Sequence, residues 1–335
     1  MLTMSYDTSL ARNDTKRFRV AQNDSGRRFD RIARRLLPQL SLSEIYRCIR
    51  KGQVRLNDKT AFPSTRANLG DEISVRFALE KRPVAQFSEV RSEIASGFGA
   101  LILFENDHVL ALNKPAGIPV HGSGSLDEQV KAYLNPKIAP SLSYRPGPVH
   151  RLDRNTSGLV LFAVSACAAR GLSMAFKEGL LAKYYLAVLE GSLRYPQRWS
   201  EGLARDSRAR KTFLSSGVQA KLCTTKVTPV VQARNQTLAV CQPLTGRTHQ
   251  IRAQAAIHGH PLAGDMKYGG KKSLPYYILH SACIVLRSGV PSLGLPALRA
   301  SLPPGTEREL ESRFGAKVGL TVGKLLADLT EQREC

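Results

Sequence analysis

The 335-residue chain is short of several things, and each shortage narrows its class. Acidic side chains number 27 against 49 lysines and arginines, a formal net charge of +22. Such a surface repels cations and draws polyanions, with nucleic acid the first candidate partner and an anionic membrane surface the second. Long apolar runs are missing. The most apolar stretches, 159–168 and 278–286, fall far below the roughly 20 residues of a bilayer-spanning helix. Residues 1–20 carry no continuous apolar segment of the kind a secretory leader needs. Cysteines at 48, 167, 223, 241, 283 and 335 form no Cys-x-x-Cys pair. That spacing is neither a disulfide framework nor a zinc pattern, and it fits reduced thiols in the cytoplasm. Histidines 249, 258 and 260 match no usual ligand spacing, so no metal is expected. The glycine-rich loop 121–125 lacks the Gly-Lys-Ser/Thr of a phosphate loop and reads as a turn. Apolar residues at 42 % are enough for a packed core and exclude collagen, coiled coil and a wholly disordered chain.

What is present divides into two units of α+β character. Residues 1–17 are polar without periodicity and read as a loose arm. Residues 18–80 form a small basic unit. Ile32, Ala33, Leu36 and Leu37 fall at helical spacing among Arg28, Arg31, Arg34 and Arg35, and Pro38 ends that helix. Ser41 and Glu44 make a capping box for a second helix, which Gly52 closes. Val54 and Leu56, then Ile73, Val75 and Phe77, alternate like strands around a turn at Asn57-Asp58. Charged helix faces are usually just solvated. Here the order of elements, and the stretch IYRCIRKGQVRLNDK (45–59), resemble the S4 RNA-binding module. That resemblance places Arg47, Arg50, Lys51 and Arg55 against RNA phosphates. Residues 81–99 read as a linker. From 100 to 304, strand-like runs outnumber helical ones (165–179 and 248–259), and most connections are too short for helical crossovers. A mainly antiparallel mixed sheet with flanking helices is expected. Residues 305–335 read as a helical tail.

The chemistry lies in loops of the larger unit. Asp153 stands between Arg151 and Arg154, just before an apolar strand. A lone aspartate in such a polar stretch is ordinarily a turn residue capping local amides. The functional alternative is a carboxylate nucleophile kept ionised by neighbouring cations. Thr248 reads as the N-cap of a helix over 250–258. Arg252 there sits among Ile251, Ala253, Ala255 and Ala256. A partly buried arginine needs a carboxylate, and Asp153 is a candidate for a bidentate pair.

HRLDRNTSGLVLFA (150–163), LTGRTHQIRAQAAIHGHPLAGDMKYG (244–269) and NKPAGIPVHG (113–122) together resemble the signature segments of the RluA-type pseudouridine synthases. With the S4-like module in front, the chain is most similar to the branch acting on large-subunit (23S) ribosomal RNA. The resemblance implies that Asp153 is the catalytic aspartate and Arg252 its partner. It implies that Tyr185 stacks on the target base, and that Arg151 fills the space the flipped nucleotide leaves. Lys114, Arg154, Arg247 and His249 would line the RNA-facing cleft. The family needs neither metal nor cofactor and is usually monomeric. Gln254 and Val164 depart from the family pattern, which often has His and Lys there. A synthase acting on tRNA or another RNA, and a non-catalytic S4-type RNA-binding protein, are the competing readings.

Overall fold

The computed structural model describes residues 15–76, 97–138, 141–206, 208–209, 211–218, 220–272, 274–287 and 293–331. They form two compact units. The division is not one cut along the chain, because the N-terminal unit also takes in residues 134–146 and 165–167. The expected linker lies, over 81–96, outside the described residues.

In the first unit, β1 (Thr15–Arg19), β3 (Glu72–Arg76) and β2 (Val54–Leu56) form an antiparallel sheet in the order β1-β3-β2. β1 starts inside the stretch read as a loose arm, because Thr15–Arg19 pair with Glu72–Arg76. Two helices, α1 (Phe29–Leu36) and α2 (Leu42–Arg50), contribute Phe29, Ile32, Ala33, Ile45 and Ile49 to one core with Val54, Ile73 and Val75. The α2 capping box is formed in both directions. The Glu44 amide donates to Ser41 Oγ, and the Ser41 amide donates to Glu44 Oε2 at 2.7 Å. Asn57 and Asp58 both adopt left-handed φ, near 50° and 57°, a conformation these two residues tolerate. Asp24 is fully buried and accepts hydrogen bonds from the amides of Leu142 and Ser143 and the hydroxyls of Ser141 and Ser143. A buried carboxylate requires such donors, which explains why residues 141–143 belong to this unit.

The second unit is built on an 11-stranded sheet. Its main path runs β10-β9-β11-β12-β8-β13-β7-β5-β4, with β14 on β13 and β6 on β7. The strands are β4 (Ile102–Glu105), β5 (Val109–Lys114), β6 (Gly147–Pro148), β7 (Ser157–Ala163), β8 (Leu181–Glu190), β9 (Gln197–Asp206), β10 (Lys211–Leu214), β11 (Lys221–Ala233), β12 (Gln236–Pro243), β13 (Leu279–Leu286) and β14 (Leu298–Arg299). Among the described strands only β13 and β7 pair in parallel. The mainly antiparallel sheet read from the short connections is therefore present. At the parallel junction Gly158 has φ +103°, and a Cβ there would lie 2.3 Å from the Ser281 carbonyl oxygen. Only glycine lets the two strands close at this point.

α3 (Leu126–Leu134) precedes β6, and α4 (Ala166–Lys177) follows β7. Ala168, Leu172 and Ala175 of α4 pack on Val109, Ala111, Leu159 and Leu161. The C-terminal segment forms two helices, α6 (Pro304–Phe314) and α7 (Val318–Glu331). Val318, Val322 and Leu326 lie four residues apart on one stripe of α7, and with Leu310 of α6 they bury against Leu186, Val188, Leu238 and Val240. These helices are thus part of this unit's core rather than a detached tail. No helix among the described residues is long and apolar enough to cross a membrane.

Candidate active site

The loop 150–156 leads into β7, and α5 (Gln250–Ile257) follows the loop after β12. Both contribute to a cavity of about 740 Å³ in the second unit, with Asp153, Tyr185, His249 and Arg252 in its walls. Arg252 donates from Nη1 to Asp153 Oδ2 at 3.1 Å, joining residues 99 apart in sequence. The expected pairing is thus made, though not in the expected form. The bidentate partner of Arg252 is Asp265, reached from Nε at 2.7 Å and Nη2 at 2.8 Å. Nε and Nη2 are committed to that fork, so Asp153 receives a single bond from Nη1. The guanidinium also lies 4.3 Å from the ring centroid of Tyr277 and 5.0 Å from that of Tyr268. Burial opposes the charge of Arg252, but the Asp265 hydrogen bonds, the phenol of Tyr277 and the two carboxylates outweigh it and raise its pKa. Asp265 was not singled out in the sequence. It lies in the turn 262–270, where Gly270 packs against the Leu262 carbonyl and leaves no room for a Cβ. The phrase Gly-Asp between apolar residues was the available signal.

Burial keeps the nearby phenols protonated. It pushes Tyr185 up, with Asp153 adding to the shift, and it does the same at Tyr277. Tyr277 shares a 3.3 Å hydrogen bond with Thr156, whose amide donates to the Asp153 carbonyl. His249 is held neutral mainly by burial, against the pull of Asp153. Its Nδ1 lies 2.9 Å from the Tyr268 hydroxyl, whose oxygen accepts the Thr212 amide. Tyr268 can then donate its own proton to Nδ1. That leaves the imidazole proton on Nε2, 3.8 Å from Asp153 Oδ2 and beyond hydrogen-bond range.

Three sequence expectations need correction. Lys114 does not face a cleft. It is fully buried, and its ammonium donates to the carbonyls of Pro115, Ile118 and Arg154 at 2.8–2.9 Å. Burial lowers its pKa to about 8, while Asp153 favours the charged form. The ammonium has three donors for three carbonyls, so it ties the loop after β5 to the loop carrying Asp153. Arg154 is exposed but does not line the cavity; its Nε donates to the Gly117 carbonyl at 2.8 Å. Thr248 is not an N-cap. His249 occupies that position in a left-handed conformation (φ 56°, ψ 21°), with no side-chain cap bond.

Arg151 and Arg247 are exposed and do line the cavity. Gln254, where the sequence departs from the family pattern, is fully buried; its amide donates to Glu201 and the Cys223 carbonyl, and its oxygen accepts from Thr225. In the first unit, Arg47, Arg50 and Lys51 are exposed at the end of α2, while Arg55 is half-buried and its Nε donates to the Gly52 carbonyl. Among the described residues no group of three or more His, Cys, Asp or Glu side chains is placed to hold a metal ion.

Comparison with known proteins gives this geometry a context. Residues 108–256 match the family described as RNA pseudouridylate synthase, and residues 27–73 match the S4 domain. The chain is 33 % identical over 268 residues to ribosomal large subunit pseudouridine synthase C of Salmonella typhimurium, covering 76 % of this chain and 79 % of that protein. It is 30 % identical over 316 residues to the protein of the same description from Vibrio vulnificus, covering 94 % and 96 %. Among solved structures, human RNA pseudouridylate synthase domain containing 4 superimposes with a TM-score of 0.55 at 20 % identity, covering 65 % of this chain and 95 % of that one. That likeness concerns the fold.

Proposed function

The chain belongs to the RNA pseudouridylate synthase family, and on that premise we propose that it isomerises uridines of large-subunit (23S) ribosomal RNA, using Asp153 as the catalytic carboxylate. The names of the Salmonella and Vibrio relatives support the ribosomal target. The observation that carries the residue assignment is the Asp153 carboxylate in a cavity wall, hydrogen-bonded by a buried arginine from another element.

The reaction breaks the N1–C1′ bond of uridine, turns the uracil and joins C5 to C1′. The C5 proton is released and one is gained at N1, so no atom is added and no electron is transferred. Asp153 would act at C1′, as a nucleophile or as the group that stabilises the electron-poor carbon. Arg252, itself fixed by Asp265 and two aromatic rings, would hold that carboxylate in place. Tyr185 would give the uracil a face to stack on, worth about 1–3 kcal/mol on other base platforms. Extruding a uridine from its stack costs a few kcal/mol, and exposed Arg151 would offset this by filling the gap. Arg247 and His249 would meet the RNA at the cavity rim. Lys114 and Arg154 instead would support the Asp153 loop from behind.

Arg47, Arg50, Lys51 and Arg55 of the S4 unit would supply sequence-independent phosphate contacts. The working form in this reading is a cytoplasmic monomer that uses neither metal nor cofactor. The test is incubation with unmodified 23S ribosomal transcripts, in the presence of EDTA, followed by chemical mapping of pseudouridine. New pseudouridines in the ribosomal RNA are expected. Modification of tRNA alone would move the substrate, and binding without any pseudouridine would favour a non-catalytic RNA-binding role.

A further inference from the structure

The cavity beside Asp153 carries more positive charge than its own acids balance. Asp153 is the one carboxylate among its lining residues, and it is engaged by Arg252. Arg151, Lys177, Lys183, Arg247 and Arg287 line the same walls. Lys183 stands apart from them. It lies on β8 two residues before Tyr185, so the two side chains leave the strand on the same face. It is half-buried, with Nζ 5.4 Å from the centroid of the Phe176 ring. A methyl group on Gly246 would come within 3.7 Å of that nitrogen. Lys183 makes no hydrogen bond or ion pair with the described residues.

Its neighbour His150 has the same shortage of acceptors. The His150 Nε2 accepts the Leu161 amide at 3.1 Å, so the ring proton sits on Nδ1. That N–H is buried with no hydrogen-bond partner among the described residues. Burial, with Lys183 nearby, lowers the His150 pKa to about 3, so the ring offers no negative charge and no second acceptor. A cation and a donor thus meet in one wall with no anion or hydrogen-bond acceptor among the described residues to receive them. Taking an ammonium out of water is costly unless an anion follows it.

We propose that Lys183 is the receptor for a phosphodiester of the RNA strand that enters the cavity with the uridine to be isomerised. The inference rests on the RNA-modifying role proposed above and adds a binding residue to it. A phosphodiester fits better than a uracil carbonyl because a full anionic charge gains more from a poorly solvated ammonium. Asp153 is the one carboxylate among the described residues lining the cavity, so the missing negative charge is one the RNA would bring.

Lys183→Met and Lys183→Arg are compared with the wild type on unmodified 23S ribosomal transcript. Losing a phosphate contact that is made both before and during reaction lowers kcat/KM mainly by raising KM. Lys183→Met is expected to lose about 10- to 100-fold in kcat/KM, the usual range for a charge-assisted hydrogen bond. Lys183→Arg keeps the charge and should recover most of the loss. Because burial lowers the Lys183 pKa, wild-type kcat/KM should fall as pH rises through the alkaline range. Lys183→Arg should remove that fall, since a guanidinium stays charged there. The cavity's other titratable groups, His150, Asp153, Lys177, Tyr185 and His249, are common to all three proteins and leave the difference between them intact. Lys183→Met removes a poorly solvated ammonium with no anionic partner among the described residues and keeps an apolar side chain against Phe176, so its unfolding midpoint should equal or exceed the wild type; a midpoint well below it would contradict the proposal. So would a Lys183→Met variant with wild-type kcat/KM, or a Lys183→Arg variant no better than Lys183→Met. Failure of the underlying reading is distinct: the wild type itself would make no pseudouridine.

Discussion

Asp265→Asn tests whether the pair of carboxylates around Arg252 is a working unit. The substitution keeps the shape of the side chain and removes its charge. Arg252 and Asp265 have side-chain exposures of 7 % and 2 %, so water cannot replace what is lost. Two of the three carboxylate hydrogen bonds to the guanidinium come from Asp265. Breaking one side of a buried ion pair typically costs about 3–5 kcal/mol. Asp153 and the faces of Tyr268 and Tyr277 remain, so the lower end, about 3 kcal/mol, is expected. Arg252 would also lose the fork that aims Nη1 at Asp153, and the isomerisation rate should fall by about 10- to 100-fold, or about 1–3 kcal/mol. Urea unfolding reads the first quantity and single-turnover pseudouridine formation the second. The double variant Asp265→Asn with Arg252→Met should be more stable than Asp265→Asn alone, because no unpaired charge is left buried. If Asp265→Asn unfolded at the wild-type urea concentration and reacted at the wild-type rate, the reasoning would fail.

Lys114→Met should strip the carbonyls of Pro115, Ile118 and Arg154 of their buried ammonium donor, cost about 3 kcal/mol or more in urea unfolding and depress kcat through the displaced Asp153 loop; an unchanged unfolding curve would contradict its bracing role. His280 is fully buried between the Ser157 hydroxyl and the Ala300 carbonyl, and burial lowers its pKa to about 4. Between pH 4 and 6.5 the unfolded chain binds a proton there that the folded chain does not, so stability falls as pH drops through that window, by roughly 3 kcal/mol. His280→Gln should flatten the fall measured by unfolding at stepped pH, with His150 contributing to whatever slope remains. Charge reversal at Arg50 or Lys51 should weaken RNA binding and reduce the slope of log affinity against log salt by about 1; an unchanged slope would remove α2 from the RNA contact.

Elements whose causes are local could be read from the chain. The α2 helix was marked at its start by Ser41 and Glu44 and at its end by Gly52, within a dozen residues. The antiparallel character of the large sheet followed from short connections. Its strand order did not, because the neighbours of β13 are β8 and β7, more than 90 residues earlier, and no local pattern encodes such a pairing. The site divides in the same way. The Arg252–Asp153 contact followed from an arginine set among small apolar residues that needed an acid. Which acid took the bidentate position depended on how the turn around Asp265 folds back under α5. Lys114 was placed at the cleft by family resemblance, and no local pattern distinguishes a cleft lysine from a buried one. Only the fold shows three carbonyls converging on its ammonium. The N-cap position of His249 was hidden because an αL histidine at a helix start is a backbone conformation, and residue type alone signals it weakly.

The account depends most on the carboxylate at position 153. Wild type, Asp153→Asn and Asp153→Ala should be incubated with unmodified 23S ribosomal RNA at enzyme excess, with pseudouridine mapped chemically over time and RNA affinity measured in parallel. Both variants are expected to bind the RNA as the wild type does and to form no pseudouridine. Pseudouridine formed by Asp153→Ala at the wild-type rate would contradict the account.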